Sequence, residues 1–122
     1  MAEERTLVKK PWGWENRFAI TDRYLGKVIH IDGGEMLSLQ YHNEKDETIL
    51  ITRGVMDLEL EEDGGAMRTH RLTPGMSCRI RPGRRHRMIA VEECEFFEVS
   101  SPEIDDVVRL EDKYGRAGTS AP

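Results

Sequence analysis

Four side chains in this 122-residue sequence could converge on one cation: Gln40, His42, Glu47 and His86. Gln40 and His42 stand two apart in a segment that reads as a strand, and residues at i and i+2 of a strand share a face. Glu47 follows across the polar stretch Asn43–Asp46, where a returning hairpin strand would set it beside His42. His86 lies far downstream, just past the turn signal Pro82-Gly83. One amide oxygen, two imidazoles and one carboxylate suit one divalent metal ion, and spacing does not choose among Zn, Mn, Fe, Ni and Co. Polar residues at such spacing are also common on solvated strands, so the spacing by itself leaves both readings open.

The elements that must position these residues read as short strands. They are expected near Arg17–Ile20, Lys27–Ile31, Met36–His42, Thr48–Thr52, Val55–Glu61, Arg68–Leu72, Ser77–Arg81, Arg87–Val91 and Glu95–Ser100. Gly33-Gly34, Gly54, Asp63-Gly64-Gly65, Pro74-Gly75 and Pro82-Gly83 punctuate them, and Asp63-Gly64 is a hairpin signal. From Met56 to Glu61 the chain alternates, with Met56, Leu58 and Leu60 on one side and Asp57, Glu59 and Glu61 on the other. Many short strands at close spacing predict an all-β sandwich or barrel. After Ser101-Pro102, the spacing of Ile104, Val107 and Val108 predicts a short C-terminal helical turn. The first five residues and Ala117–Pro122 are expected to fray.

Bulk properties bound the function. The length fits one domain over residues 1–122, with a core of about residues 10–116. Hydrophobic residues make up 38% and charged residues 34%, and no apolar run approaches a membrane span, so neither a membrane partner nor a secretory leader is expected. A cytoplasmic location is the expectation. Cys78 and Cys94 form no CxxC pair and are expected to be reduced thiols. A net charge of −5 argues against a nucleic-acid partner. Against that background, Arg79–Arg87 carries five arginines in nine residues, either a solvated hairpin rim or a site for an anion such as phosphate.

The segment Gly34-x5-Gln40-x-His42-x4-Glu47-x6-Gly54, with Gly75-x7-Gly83-x2-His86, resembles the two sequence motifs of the cupins. A closer likeness is to the cupin domain of type II phosphomannose isomerases, the C-terminal part of bifunctional sugar-nucleotide enzymes. It is carried by Lys10-Pro11-Trp12-Gly13, by Gly34 to Gln40, and by Asp106 to Arg116. The resemblance implies a single-domain, jelly-roll-like cupin barrel with Gln40, His42, Glu47 and His86 as metal ligands. It implies Lys27 as a candidate catalytic base, since the family has lysine there, and Arg109 as a candidate substrate-binding residue. Arg84, Arg85 and Arg87 flank His86 and are further candidates for a phosphate clamp. It also implies a homodimer. This sequence departs from the family at Asn43–Asp46 and at Thr48-Ile49, where a His-rich, Arg-containing stretch and His-Trp are usual. Three functions follow: a mannose-6-phosphate isomerase-like enzyme acting on a sugar phosphate, an oxygenase of the cupin superfamily, and a non-catalytic sugar-binding module.

Overall fold

The computed structural model describes residues 6–120. Eleven strands run in chain order: β1 (Leu7–Lys10), β2 (Gly13–Ile20), β3 (Leu25–Ile31), β4 (Leu39–Tyr41), β5 (Glu47–Arg53), β6 (Met56–Glu61), β7 (Met67–Leu72), β8 (Ser77–Ile80), β9 (His86–Ala90), β10 (Cys94–Ser100) and β11 (Val108–Glu111). They form two antiparallel sheets. One has the order β1-β2-β3-β10-β5-β8, the other β11-β4-β9-β6-β7. This is a jelly-roll arrangement of two facing sheets, as the turn spacing predicts.

The core lies between the sheets and follows from strand alternation. Ile29 and Ile31 on β3, Ile49 and Ile51 on β5, Met56 and Leu58 on β6, Met88 and Ala90 on β9, and Cys94 and Phe96 on β10 are all buried in one cluster. Each fully buried aliphatic or aromatic side chain contributes about 1.5–3 kcal/mol. The same inward rows turn polar toward one end. There they continue as Lys27 on β3, Glu47 on β5, His86 on β9 and Glu98 on β10, all buried. The barrel therefore has an apolar end that holds it together and a polar end that can do chemistry.

Two features differ from the sequence expectation. The stretch after Ser101-Pro102 is not a helical turn. Its amides bond two or three residues back, Ile104 to Pro102, Asp106 to Glu103 and Val107 to Asp105, so no i→i−4 ladder starts. What holds this segment is tertiary: Asp106 is committed to the turn after β4, as described below. At the C-terminus, residues 117–120 are tied back rather than frayed, with Gly118 N–H donating to the Arg109 carbonyl and Thr119 N–H to Arg116. The expected fraying of residues 1–5 and 121–122 falls outside the described residues. Among the described residues no helix is long and apolar enough to cross a membrane.

Candidate metal centre

β4 and β9 are neighbours, and their register sets Gln40 opposite His86. β5 enters at Glu47, which faces Ile80 on β8 and Ser100 on β10. His42 is just past the end of β4, and its carbonyl accepts the N–H of Gly83 at 2.6 Å. Gly83 adopts φ +80°, a left-handed conformation that glycine takes without steric cost. The Pro82-Gly83 turn thus ties the two ligand-bearing hairpins together.

His42, Glu47 and His86 form a buried triad whose nitrogen and oxygen atoms lie within 4.8 Å of one another. His42 Nε2 is 3.6 Å from one carboxylate oxygen of Glu47, and His86 Nε2 is 3.5 Å from the other. Each imidazole is oriented from behind. Nδ1 of His42 donates to the Asp106 carbonyl at 2.5 Å, and Nδ1 of His86 donates to the Arg84 carbonyl at 2.9 Å. A carbonyl can only accept, so these bonds fix a proton on Nδ1, and in the neutral ring the lone pair is then on Nε2. Both Nε2 atoms are buried with no hydrogen-bond partner among the described residues. Two orphaned lone pairs aimed at one carboxylate fit a cation, and the carbonyl bonds behind them are the usual outer support of histidine ligands.

The electrostatics agree. Burial pushes the Glu47 carboxyl upward, but the Lys45 ammonium and the two imidazoles outweigh it and hold it well below the usual carboxylate range. Burial likewise holds the His86 imidazole below its ordinary value, Glu47 only partly opposing, which keeps Nε2 free to ligate. Lys45 Nζ is clamped 3.2 Å from Glu47 and 3.0 Å from Glu98. Burial disfavours its charge, yet Glu98 and Glu47 raise it above the ordinary lysine range.

The triad opens onto a cavity lined by Gln40, Lys27, Lys45, Glu98, Arg109 and Arg116, among others, with about 60 Å³ of free space. Gln40 faces it with its Oε1 accepting from Ser38 Oγ at 2.9 Å, and one lone pair of that oxygen remains for a further contact. Lys27 is in the cavity wall, 3.5 Å from Glu15 and 3.9 Å from Glu98. Arg109 lines the cavity and also bonds the carbonyl and hydroxyl of Thr119.

The structure does not bring Arg84, Arg85 and Arg87 to this cavity. His86 points inward, so by alternation Arg87, the next residue of β9, points out, while Arg84 and Arg85 lie in the turn before the strand and are drawn away by carboxylates. Arg84 pairs with Asp63, Arg85 with Glu61, and Arg87 reaches the Leu37 carbonyl and Glu111. Several wall residues escape a sequence reading: Lys10, Glu15, Lys45, Glu98 and Arg116. A signal for two of the wall residues existed. Lys27 and Glu98 occupy the inward phase of otherwise apolar strands and face each other in register. Asp106 is a missed positioning residue. Its carboxylate accepts the N–H groups of Asn43, Glu44 and Lys45 at 2.7–2.9 Å, while its own carbonyl orients His42.

Comparison with known proteins agrees with this architecture. The cupin domain profile matches residues 27–100. The mannose-1-phosphate guanylyltransferase of Escherichia coli is 31% identical over 113 residues, which is 89% of this chain and 23% of that protein. The alginate biosynthesis protein AlgA of Pseudomonas aeruginosa is 30% identical over 119 residues, 93% of this chain and 24% of that protein. The chain thus spans about a quarter of the length of these curated relatives. Among solved structures, KdgF from Halomonas sp. superposes with a TM-score of 0.70 at 20% identity, covering 82% of this chain and 88% of that one. Oxalate decarboxylase from Bacillus subtilis at pH 4.6 superposes with a TM-score of 0.78 at 15% identity, covering 88% of this chain and 30% of that one. Two facing antiparallel sheets, a His/Glu/His triad at the polar end and the profile match across both motifs lead to one conclusion: the chain belongs to the cupin family.

Proposed function

We propose that this cupin holds one divalent cation through His42, Glu47 and His86, with Gln40 alongside, and interconverts the aldose and ketose forms of a phosphorylated or acidic sugar. The observation that carries the reading is the pair of buried Nε2 atoms, without hydrogen-bond partners among the described residues, that converge on Glu47 at the floor of a cation-rich cavity. A divalent ion there supplies Lewis acidity that polarises a carbonyl. The chain's own residues do the rest. Lys10, Lys27, Lys45, Arg109 and Arg116 outnumber Glu15, Glu47 and Glu98 in the wall, which favours an anionic ligand. The sugar-phosphate names of the sequence relatives support the same substrate class.

The free space of about 60 Å³ holds a few waters, so a hexose phosphate must displace side chains of the wall. This small volume favours one second reading, a non-catalytic module for a smaller acidic sugar. The test is protein reconstituted with Mn, Co, Zn or Ni, incubated with mannose 6-phosphate in D2O and followed by NMR. Ketose formation with deuterium incorporated next to the carbonyl, lost in His86→Ala, is expected. Thermal stabilisation by the sugar without turnover under any of the metals would overturn the isomerase in favour of the binding module.

A homodimer through the outer face of the six-stranded sheet belongs to the same proposal. Val28, Phe97 and Leu50 are consecutive across β3, β10 and β5 in register. Phe18 lies against Gly26, where a Cβ would come within 2.6 Å of its ring, and meets Phe97 edge-on at 6.2 Å. Phe18, Leu50, Phe97 and Val99 are each 40–55% exposed. Together they present roughly 350 Å² of apolar surface. A standard interface of about 800 Å² per partner is a little over half apolar, so this uncharged patch suits a second copy of itself. Sedimentation velocity should find a dimer that Phe97→Glu dissociates; a wild-type monomer at tens of micromolar would contradict the interface.

A further inference from the structure

Three lysines line the cavity, and carboxylates clamp two of them. Lys45 is held between Glu47 and Glu98, and Lys27 bridges Glu15 and Glu98. Lys10, the last residue of β1, lines the same cavity beside Trp12 and forms no ion pair among the described residues. The charged groups facing it are Glu15 and Arg17 from β2, Lys27 from β3 and Arg109 from β11, three cations against one carboxylate. That carboxylate is already engaged: Arg17 Nε is 2.7 Å from it and Lys27 Nζ 3.5 Å.

We propose that Lys10, and not Lys27, is the general base of this cavity, taking the carbon-bound proton next to the carbonyl of a sugar held there. The inference rests on the isomerase reading above. Lys27 Nζ and Lys45 Nζ each already bridge two carboxylates, which leaves neither amine free to swing toward a bound sugar, whereas a half-buried amine among cations is driven toward its neutral form. Burial is the largest cause at Lys10, Glu15 partly opposes it, and Arg17, Lys27 and Arg109 add to it, bringing the amine down to about 8. In the step, neutral Nζ takes the proton from the carbon next to the carbonyl. The C–H electron pair forms the carbon–carbon double bond of an enediolate, and the carbonyl π pair moves onto its oxygen. The resulting ammonium returns the proton to the neighbouring carbon, and the hydroxyl proton passes between the two oxygens. The sum is an isomerisation with no net oxidation.

Two measurements on the metal-loaded protein test this. The first is competitive labelling with trace acetic anhydride between pH 6 and 10, read residue by residue by mass spectrometry and needing no turnover. Lys10 should label several-fold faster than Lys27 and Lys45 at pH 8 and be protected by fructose 6-phosphate. The second is the sugar-carbon deuterium exchange in D2O. Its rate should rise toward a plateau above about pH 8, and Lys10→Met should lower it by about a hundredfold or more. Metal content and thermal stabilisation by fructose 6-phosphate should survive in that variant. Exchange that persists in Lys10→Met, or Lys10 labelling no faster than the clamped lysines, overturns the base assignment alone. Absence of exchange in the wild type overturns the isomerase reading and the base role together.

Discussion

Glu47 is a buried carboxylate that two imidazoles and one ammonium approach, and this crowding makes its energetics predictable. Removing Lys45 leaves Glu47 and Glu98 buried without their shared cation. Lys45→Met should therefore cost the metal-free protein about 3–5 kcal/mol in urea unfolding, the usual penalty for breaking a buried pair. The pH dependence has a definite sign. Glu47 is depressed in the folded state, so it binds fewer protons folded than unfolded, and its contribution is full above about pH 4.3 and lost as pH falls through the lower folded value. Lys45→Met removes the largest of the contributions that lower this carboxyl, so acid unfolding should begin at a higher pH. At Cys94, burial raises the thiol to about 11, so iodoacetamide at pH 8 should label the half-buried Cys78 first. The residues legible in the sequence were those whose partners are near in the chain or in a known motif: Gln40, His42, Glu47 and His86. Lys45 and Asp106 were not legible as site residues. Lys45 meets Glu98 53 residues away, and Asp106 meets the 43–45 turn more than 60 residues away, and no local periodicity encodes such closures.

At the scale of elements, turns do more than connect strands. Gly54 adopts φ +78°, and a Cβ there would fall 2.0 Å from the Glu93 carbonyl oxygen, a backbone atom that cannot swing aside. Gly83 has a similar φ of +80° but open space around it. Gly54→Ala should therefore destabilise by well over the roughly 1 kcal/mol expected of Gly83→Ala, where only the left-handed strain is at issue. Thermal melts of the two variants compare them directly. Asp106 ties the segment before β11 to the turn after β4, so Asp106→Ala should leave the fold intact but weaken metal affinity about tenfold, measured by competition with a chelator. Inner strands were legible because alternation marks them; β10, with Cys94, Phe96, Glu98 and Ser100 all inward, is the clearest. β1 and β11 were not foreseen. β1 is four residues long with only alternate half-burial, β11 buries just Arg109 fully, and each is an edge strand defined by its one neighbour. The helical turn expected after Ser101 is absent for a related reason: Ile104 and Val107 face the cavity from a turn, while Val108 already belongs to β11 and pairs with Tyr41.

For the whole molecule, the division of the barrel into an apolar half and a polar half explains how a chain of net charge −5 can present a cation-lined cavity. The apolar half, built around Phe96 and the isoleucines of β3 and β5, stabilises the fold and offsets the cost of burying ions in the other half. The prediction proper to this scale is that a bound ion stabilises the entire barrel, because the triad joins β5 of one sheet to β9 of the other and to the end of β4. The first measurement is metal content of the purified protein by elemental mass spectrometry, beside the His86→Ala variant. About one divalent ion per chain in the wild type, absent from the variant, is the predicted result. A wild-type protein that holds no metal even after reconstitution with Mn, Zn, Fe, Co or Ni would contradict the account at its centre.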